Sequence, residues 1–505
     1  MLVNKLHSRT MTSYKKVLQR STISKNVLRT QYAVRGELVL RSLEHKKALD
    51  KGNGSGLPFD SIVSCNIGNP HECGQEPLTF PRQVLSLVNC PQLLQNEHVG
   101  KLFPSDAIRR ASDYLREIPG GVGAYSHSKG VEVVRKEVSD FLQKRDGFPS
   151  DPESIYLTDG ASPAIQRTLS MVISDESCGI MIPIPQYPLY SAAITLTGGA
   201  QVGYFLNEDS CWGTKQDELM RSVTEARDKG VNVKAMAVIN PGNPTGQCLS
   251  WSDMEGIVSF CHDQNIMLMA DEVYQENIWQ DSNPFHSFKK VLRTMESKGK
   301  IPSGELELFS YHSTSKGFLG ECGRRGGYME LTNIHDEAGE ELYKLASLTL
   351  CSNLVGQLSV GLMVNPPAET DESYQQYVSE RNNILESLRR RAGMLVKALN
   401  DLEGVSCQES QGAMYAFPKI TLPEGAMKIA SEMGKAADAY YCMELLDATG
   451  IVVVPGSGFL QEPNTFHFRT TILPQENEIQ TVIERIKVFH SNFLREHGGL
   501  KKSKL

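Results

Sequence analysis

Lys316 is the residue best placed to act as a nucleophilic amine, because it follows an apolar run and lies among hydroxyl side chains. Ser313 and Ser315 precede it, and Arg324 and Arg325 follow within a glycine-rich segment. A lysine amine that loses part of its hydration can form a Schiff base with a carbonyl group. Two hydroxyls and a guanidinium fork suit a phosphate dianion. Taken alone, this pattern is explained more simply by a surface lysine of no special function.

Asp271 is a second candidate, since it directly follows the apolar run 265–270. A carboxylate at the end of a buried strand can pair with the protonated nitrogen of a bound ring. Tyr274 lies shortly after it and adds a phenol. The alternative is an aspartate that caps the N-terminus of a helix, and the sequence leaves both interpretations open.

Two turns supply further polar groups. The turn 240–246 contains two prolines and two glycines, which fix its backbone and could aim Asn243 inward. The segment 158–162 precedes a predicted helix, and the free amides of Ala161 and Ser162 at its start would form an anion site. Each turn alone is also typical of a plain connection between a strand and a helix.

Together, these groups match the needs of one cofactor. They supply an amine, a partner for a ring nitrogen, a phenol with an amide, and a cradle for a phosphate. Pyridoxal 5'-phosphate needs all of these groups. The joint pattern therefore predicts a pyridoxal-phosphate enzyme more strongly than any single segment does.

The elements that must position these residues are short apolar runs that alternate with helical patterns. Several runs are apolar at nearly every residue, which is typical of strands buried on both faces. The alternation predicts an α/β fold with a mostly parallel central sheet flanked by helices, in which ligands bind beyond the carboxyl ends of the strands. The predicted strands are 154–158, 179–184, 202–206, 233–239, 265–270, 307–311 and 326–330, and two of the helices are 161–173 and 254–263.

A smaller α+β domain is predicted to follow, because the helical stretch 373–402 leads into three further apolar runs and two more helices. The residues Arg389, Arg390 and Arg391 of that stretch are interpreted as a solvated face. We therefore divide the chain into five parts. They are a basic leader at 1–25, an N-terminal arm with part of the small domain at 26–100, a large cofactor-binding domain at 101–372, a bridging helix with the small C-terminal domain at 373–497, and a tail at 498–505.

Several strings resemble those of the alanine aminotransferase family, which includes a peroxisomal glutamate:glyoxylate branch. The resemblance runs from about residue 26 to residue 497 and implies fold type I of the pyridoxal-phosphate transferases. The similar strings are YAVRG at 32–36, NPH at 69–71, GQ at 74–75, LTFPRQV at 78–84, PQYPLY at 185–190, NPGNPTG at 240–246, DEVY at 271–274, GECGRRGGY at 320–328 and FRTTILP at 468–474.

The resemblance implies a role for each matching residue. Lys316, Asp271 and Tyr274 would be catalytic, with Lys316 bound to the cofactor and Asp271 keeping the ring nitrogen protonated. The other implied cofactor contacts are Asn243 with Tyr274 at the ring hydroxyl, Tyr187 stacked on the ring, and Ala161, Ser162, Ser313, Ser315 and Arg325 at the phosphate.

The family also implies how substrate and partner are bound. Arg469 would bind the substrate α-carboxylate, with Asn243 and Gly36 beside the substrate. Tyr125 matches a tyrosine that reaches the phosphate from a second subunit, so a homodimer is expected. His127 is interpreted as peripheral, and no arginine for a distal carboxylate is identified.

The implied activity is a ping-pong transamination between L-alanine and 2-oxoglutarate, giving pyruvate and L-glutamate. The alternative within the family is glutamate:glyoxylate or alanine:glyoxylate transamination, and the sequence does not rank these substrates, because one methylene changes binding by only about 1–3 kcal/mol. A lyase with the same cofactor cradle is a third hypothesis. A non-catalytic regulator that binds the cofactor is a fourth, although no helix-turn-helix-like stretch accompanies the fold.

Composition excludes several other classes. The chain has 505 residues, a formal net charge of -7 and 40% hydrophobic residues, which are ordinary values for a globular protein. The acidic balance argues against a nucleic-acid partner, and no apolar run approaches the ~18 residues of a membrane helix. The 11 cysteines form no Cys-x-x-Cys pair and the 12 histidines form no ligand motif, so reduced thiols and no metal site are expected.

The two ends of the chain predict different destinations. Residues 1–30 contain seven basic and no acidic residues, which is the composition of a mitochondrial transit peptide or of a basic, loosely ordered terminus. Residues 503–505 read Ser-Lys-Leu, a peroxisomal address. We expect a peroxisomal protein, with the mitochondrion or the cytosol as the alternative, and a start at either Met1 or Met11.

Overall fold

The computed structural model of the chain describes residues 16–32, 36–52 and 56–498. Most of the predicted leader and nearly all of the predicted tail therefore lie outside the described residues. The helices are α1 (Lys25–Arg29), α2 (Glu37–Asp50), α3 (Thr79–Asn89), α4 (Ser105–Glu117), α5 (Glu132–Asp146), α6 (Ala161–Val172), α7 (Pro188–Thr197), α8 (Gln216–Asp228), α9 (Trp251–Gln264), α10 (Phe288–Ser297), α11 (Asp336–Ser347), α12 (Leu354–Val364), α13 (Tyr374–Asn400), α14 (Glu424–Glu432), α15 (Ala437–Thr449) and α16 (Glu476–His497). The strands are β1 (Val63–Ser64), β2 (Ile155–Thr158), β3 (Cys178–Ile184), β4 (Ala200–Phe205), β5 (Asn232–Ile239), β6 (Met267–Asp271), β7 (Leu308–Ser313), β8 (Gly327–Thr332), β9 (Val405–Ser406), β10 (Tyr415–Ala416), β11 (Lys419–Ile420), β12 (Ile451–Val452), β13 (Val454–Pro455) and β14 (Phe468–Thr471).

A seven-stranded sheet forms the centre of the protein, in the order β2-β8-β7-β6-β5-β3-β4. Strand β8 runs antiparallel to both of its neighbours, and the other neighbouring pairs are parallel. All seven predicted strands are therefore confirmed as members of one mostly parallel sheet. Because β2 and β7 both oppose β8, the carboxyl ends of β2, β5, β6 and β7 lie at the same edge.

Helices cover both faces of this sheet, as the apolar runs predict. Alternate residues of β5 separate into two clusters, with Ala235 and Ala237 on one face and Met236 and Val238 on the other. Helices α6 and α7 contribute to the first cluster, and α8, α9 and α10 contribute to the second. Both faces are thus closed to water, and the strand ends are left as the accessible edge.

The C-terminal part forms a separate apolar cluster around α13, α15 and α16. Its three predicted apolar runs appear as short strands, and β10, β14 and β13 pair antiparallel. Three helices follow α13 in this region, one more than the two that the sequence predicts. Strand β1, from the N-terminal part, pairs parallel with β12, so both ends of the chain contribute to this region.

The interpretation of the arginine run on α13 is wrong for one of its three members. Arg391 is buried, and its guanidinium donates to the carbonyls of Leu473 and Pro474. Burial lowers its pKa below the ordinary value, against the opposing charge of Glu476. Arg390, in contrast, forms an exposed ion pair with Glu476. A helix face cannot be read from three consecutive residues, because they point in three directions about 100° apart.

None of the described helices combines the length and the apolar character needed to cross a bilayer. All 11 cysteines are free thiols. Within residues 16–32, 36–52 and 56–498, no three side chains of the metal-ligating types cluster as an ion site would require.

A buried ion pair joins α10 to β8. The ammonium of Lys289 contacts Glu330 Oε1, and each side chain is only 2% exposed. Ser150 donates a hydrogen bond of 2.6 Å to the same oxygen, while Glu330 Oε2 has no hydrogen-bond partner. Removing the cation would leave a carboxylate in an apolar site that cannot reach water.

We therefore expect Lys289→Met to lower the free energy of unfolding by about 3–5 kcal/mol, the usual cost of breaking a buried pair from one side. The double variant Lys289→Met/Glu330→Gln should recover most of this loss, because it removes both charges. Urea unfolding followed by circular dichroism measures the difference.

The control is Lys136→Met, which breaks the exposed pair of Lys136 with Glu132. This pair lies on the surface of α5, where such pairs contribute at most about 0.5 kcal/mol. Equal losses in the buried and the exposed variant would contradict the assigned importance of the Lys289–Glu330 pair.

Candidate active site

The predicted site residues gather at the carboxyl edge of the central sheet. Asp271 is the last residue of β6 and Ser313 is the last residue of β7, while the turn containing Asn243 follows β5. Strand β2 ends at Thr158, just before α6. The direction of these strands alone therefore brings four segments of distant sequence together.

Asp271 is a buried carboxylate with neutral partners. Its oxygens accept a hydrogen bond of 3.1 Å from the Tyr190 hydroxyl and one of 3.4 Å from the Val273 amide. Burial raises the pKa of Asp271 to about 6, although these two bonds and the charge of Lys316 act in the opposite direction. The helix-cap alternative is wrong, because Asp271 ends a strand and the next helix begins only at Phe288.

Lys316 is half-buried and lies beside Tyr274. Its ammonium donates a hydrogen bond of 2.6 Å to the carbonyl of Gly68 and lies 5.8 Å from the centre of the Tyr274 ring. The positive charge of Lys316 also lowers the pKa of Asp271. The amine and the carboxylate thus share one site, and the interpretation of Lys316 as a bland surface lysine is not supported.

The start of α6 forms a cradle with Arg325. The guanidinium of Arg325 donates a hydrogen bond of 2.8 Å to the Asp159 carbonyl. Gly160 lies between them with φ +88°, and a Cβ there would lie 2.6 Å from the guanidinium, so only glycine fits. No side chain caps α6, which leaves the amides of Ala161 and Ser162 available to an anion.

Ser313 and Ser315 lie next to this cradle. The Ser315 amide donates a hydrogen bond of 3.4 Å to the Ser313 hydroxyl, and the Thr314 amide donates one of 3.0 Å to the carbonyl of Gly326, which follows Arg325. A cleft of about 420 Å³ opens beside the guanidinium, and Asp159, Arg324 and Asn353 contribute to its walls. The two serines, Arg325 and the start of α6 thus lie close together, and their donors are of the type that binds an anion.

Arg469 is a buried cation without an acidic partner among the described residues. It is 2% exposed, and its guanidinium donates a hydrogen bond of 3.0 Å to Asn243 Oδ1 and another to the carbonyl of Asn66. The rings of Tyr415 and Phe459 lie 4.2 Å and 4.8 Å from its central carbon. Its Nε has no hydrogen-bond partner, so the group can still bind a carboxylate.

Tyr187 and Tyr274 complete the aromatic part of the site. The Tyr187 hydroxyl lies 3.2 Å from the hydroxyl of Tyr32, in the N-terminal segment. The Tyr274 hydroxyl donates a hydrogen bond of 3.2 Å to the hydroxyl of Tyr415. Burial is the main cause that raises the pKa of both Tyr187 and Tyr274 well above the ordinary value, so both phenols keep their protons.

Three predicted or discussed residues are not joined to this constellation by the contacts of the described chain. Gly36 directly precedes α2 and lines a cavity of about 280 Å³ with Lys435 and Ser457. Tyr125 is 78% exposed in a loop. His127 stacks on Tyr343 at 5.4 Å, and its peripheral interpretation stays a prediction.

The sequence missed three residues that contact the predicted ones. Tyr190 bonds to Asp271, Gly68 accepts from Lys316, and Tyr415 packs on Arg469. Tyr190 lies in a string that carries the family resemblance, but no sequence pattern points to its contact with Asp271. Tyr415 belongs to a predicted strand, and alternation along a strand does not reveal which residue it faces.

The donor set fits the cofactor predicted from the sequence. A buried carboxylate with no cation bonded to it suits a protonated ring nitrogen. The glycine-lined cradle beside Arg325 suits a phosphate, and the half-buried amine of Lys316 suits an aldehyde carbon. Arg469 remains free for a substrate carboxylate.

The chain is also similar in sequence to proteins of known family. A sequence model of the family described as "Aminotransferase class I and II" matches residues 93–486. A protein named "Probable alanine aminotransferase, mitochondrial" from Dictyostelium discoideum is 53% identical over 489 residues, which cover 96% of this chain and 91% of that protein.

Two further comparisons extend the finding. "Glutamate--glyoxylate aminotransferase 1" from Arabidopsis thaliana is 50% identical over 484 residues, which cover 96% of this chain and 98% of that protein. The solved structure of an alanine aminotransferase from Pyrococcus furiosus superimposes with a TM-score of 0.73 and 23% identity, and covers 93% of this chain and 99% of that one. At this identity the structural comparison shows a shared fold only.

We expect Asp271→Asn to stabilise the cofactor-free protein at neutral pH. The folded-state pKa of about 6 lies above the ~3.9 of an unfolded aspartate. The folded protein therefore keeps the proton of Asp271 up to a higher pH than the unfolded chain does. The stabilising effect of the buried, protonated acid is therefore complete below about pH 4 and is lost as the pH rises through 6. At pH 7 the variant should be more stable by up to about 3 kcal/mol, as measured by urea unfolding.

At pH 4 the difference between variant and wild type should vanish, because both side chains are then neutral. Asp281→Asn is the matched control, since the exposed Asp281 pairs with Arg389 and has a pKa lowered mainly by its hydrogen bond to that arginine. If the gain in the free energy of unfolding of Asp271→Asn did not depend on pH, burial of the carboxylate charge would not be the cause of that gain.

Proposed function

The chain belongs to the class I and II aminotransferase family and is a pyridoxal-phosphate-dependent transaminase, and from this premise we propose that it transfers the amino group of L-alanine to 2-oxoglutarate. The products are pyruvate and L-glutamate. A relative named as an alanine aminotransferase that is 53% identical over nearly the whole chain supports this substrate pair.

The observation that carries the proposal is the buried Arg469. A guanidinium that lacks an acidic partner in the described chain, and retains an unpaired Nε, suits a bidentate α-carboxylate. Tyr415 and Phe459 hold it from both sides, which fixes the orientation of the fork. The α-carboxylate is common to L-alanine, L-glutamate and their oxo acids, so the same arginine serves both halves of a ping-pong reaction.

The residues of the chain divide the chemistry among them. When bound, pyridoxal phosphate supplies a carbonyl carbon that takes up the amino group and a cationic ring that withdraws electrons. Asp271 would keep the ring nitrogen protonated, and its burial would keep water from competing for that contact. Asn243 and Tyr274 would bind the ring hydroxyl, and Tyr187 would pack on the ring. Lys316 Nζ would remove the proton from the substrate Cα.

The phosphate is assigned to the cradle at the start of α6. Arg325, the two serine hydroxyls and the free amides would bind it and would anchor the cofactor independently of Lys316. This separation would leave the Lys316 amine available to act as a base on the substrate. The residues assigned to the phosphate are Ala161, Ser162, Ser313, Ser315 and Arg325.

A second candidate is transfer from L-glutamate to glyoxylate. It is supported by the 50% identity to the Arabidopsis protein of that name and by the Ser-Lys-Leu string at 503–505. Both reactions use the same lysine, aspartate and arginine. They differ only in the side-chain pocket, where one methylene is worth about 1–3 kcal/mol.

The active unit is proposed to be a homodimer, in which Tyr125 of one subunit reaches the phosphate of the other. The exposure of Tyr125 and the open cleft beside Arg325 support this arrangement. Gly36 is proposed to lie beside the substrate, because the N-terminal segment already reaches Tyr187 through Tyr32.

The first test follows the absorbance of the cofactor in the purified holoenzyme. L-alanine should remove the absorbance of the form linked to Lys316, and 2-oxoglutarate should restore it, because each half-reaction is separate in a ping-pong cycle. Steady-state rates with alanine, glutamate and serine as donors, and with 2-oxoglutarate and glyoxylate as acceptors, rank the two candidates. A higher kcat/KM for glutamate with glyoxylate would favour the second one.

In the same assay, Lys316→Ala should lower kcat by at least about 100-fold, since the proton transfer loses its base. Lys344→Ala is the control, because Lys344 is exposed and pairs only with Glu341. Full activity of the Lys316 variant would exclude Lys316 as the base.

Delivery to the peroxisome is proposed from the Ser-Lys-Leu string, whereas the Dictyostelium relative is named as mitochondrial. We expect a fluorescent protein fused ahead of residue 16 to enter peroxisomes and to stay in the cytosol when residues 503–505 are removed. Fusion of residues 1–30 alone to a fluorescent protein gives the converse test. Mitochondrial import of that fusion would assign the address to the N-terminal segment.

A further inference from the structure

Tyr415 lies between the two groups proposed to act on the substrate, Arg469 at its α-carboxylate and Lys316 at its Cα. It is the first residue of β10 and pairs with Thr471 of β14, the strand that also carries Arg469. Its side chain is only 2% exposed. The short sheet of the C-terminal part therefore inserts this phenol into the site built by the central sheet.

The ring of Tyr415 holds Arg469. The central carbon of the guanidinium lies 4.2 Å from the centre of this ring and 4.8 Å from the centre of Phe459. A desolvated arginine between two aromatic rings gains cation–π attraction from both. A phenylalanine at position 415 would serve this purpose equally well, so the ring alone does not explain the hydroxyl.

The hydroxyl of Tyr415 reaches toward Lys316. A Cβ built on Gly68 would lie 2.2 Å from this hydroxyl and 2.8 Å from the lysine Nζ. The two polar atoms therefore border the same small space above Gly68, whose carbonyl accepts the hydrogen bond from Lys316. The Tyr415 oxygen also accepts a hydrogen bond from Tyr274, so it is fixed from a second side.

Two positive charges lie near this hydroxyl and favour its ionised form. Burial raises the pKa of Tyr415, but the positive charges of Lys316 and Arg469, together with the hydrogen bond from Tyr274, outweigh burial and leave the pKa below its ordinary value, while Cys322 opposes them weakly. For Tyr274, the neighbouring phenol, burial and its bond to Tyr415 raise the pKa instead. Within this pair Tyr274 is the donor, and the Tyr415 oxygen accepts its hydrogen bond while lying near the two cations.

We propose that Tyr415 is a positioning residue that connects substrate binding to proton transfer. Its ring fixes the guanidinium that binds the α-carboxylate, and its hydroxyl oxygen holds the Lys316 amine and the Tyr274 hydroxyl at the reacting end. This inference rests on the proposed role of Lys316 as the lysine that carries the cofactor. Beyond that function, it assigns the ring of Tyr415 to substrate binding and the hydroxyl of Tyr415 to proton transfer.

Two substitutions separate the ring from the hydroxyl in the holoenzyme. Tyr415→Phe should shift the pH midpoint of the cofactor absorbance downward by about one unit, because a positive charge on the Lys316 nitrogen loses a nearby hydroxyl oxygen. It should also lower kcat by about tenfold, the effect of one hydrogen bond to a charged group, and leave the KM for L-alanine within about twofold. Tyr415→Leu should in addition raise that KM by about tenfold, since Arg469 loses one aromatic neighbour.

Tyr156→Phe is the matched control, because it removes another buried hydroxyl, which donates to the carbonyl of Gly339 in α11. It should leave the absorbance midpoint and KM unchanged. An unchanged midpoint and kcat in Tyr415→Phe would overturn the proposal, as would equal shifts in both phenylalanine variants. If the Tyr415→Leu variant does not fold, the Tyr415→Phe variant alone tests the proposal.

The absorbance of the Lys316→Ala variant distinguishes a failure of this inference from a failure of the proposed function. If Lys316 does not carry the cofactor, Lys316→Ala keeps the wild-type absorbance and its pH midpoint, whatever Tyr415 does. If Lys316→Ala loses that absorbance while Tyr415→Phe behaves as wild type, only the role of Tyr415 fails.

Discussion

The active site depends on charged side chains that the fold removes from water without giving them an opposite charge. Arg469 and Asp271 are 2% and 4% exposed, and an ion in such a place is costly unless hydrogen bonds or a countercharge compensate. The described chain offers a carbonyl and an amide to Arg469, and a phenol and a backbone amide to Asp271. The remaining compensation is left to bound molecules, so binding a carboxylate or a cationic ring stabilises both the ligand and the protein.

The directions of the strands explain how these charges come to lie together. Strands β5, β6 and β7 run parallel, and β2 has the same direction because β8 is antiparallel to both neighbours. Their carboxyl ends deliver the turn of Asn243, Asp271, Ser313 and the start of α6 to one edge. Because helices cover both faces of the sheet, a ligand can reach the polar groups only at this edge. The arrangement suits a ligand that carries polar groups on several sides.

The C-terminal part completes what the central sheet begins. Strand β14 contributes Arg469 and β10 contributes Tyr415, so the arginine proposed to bind the carboxylate comes from a separate layer of structure. The Tyr274–Tyr415 contact joins this layer to the central sheet, and the Lys316 amine contacts Gly68 of the N-terminal part. In a site divided between two layers, a small shift of one layer can change substrate preference, while the groups proposed to bind the cofactor stay on the central sheet.

The sequence by itself determined the strands, the helices between them and the polar residues that follow each strand, because apolar runs and proline- or glycine-containing turns are local features. It also determined the family and most of the candidate site, through strings whose spacing is local as well. Only the tertiary structure decided which of these residues touch. Tyr274 and Tyr415 are 141 residues apart, and Lys316 and Gly68 are 248 apart. The burial of Arg391 within an arginine run and the aromatic contacts of Arg469 were likewise decided by packing, since a one-dimensional pattern does not record which surface meets which.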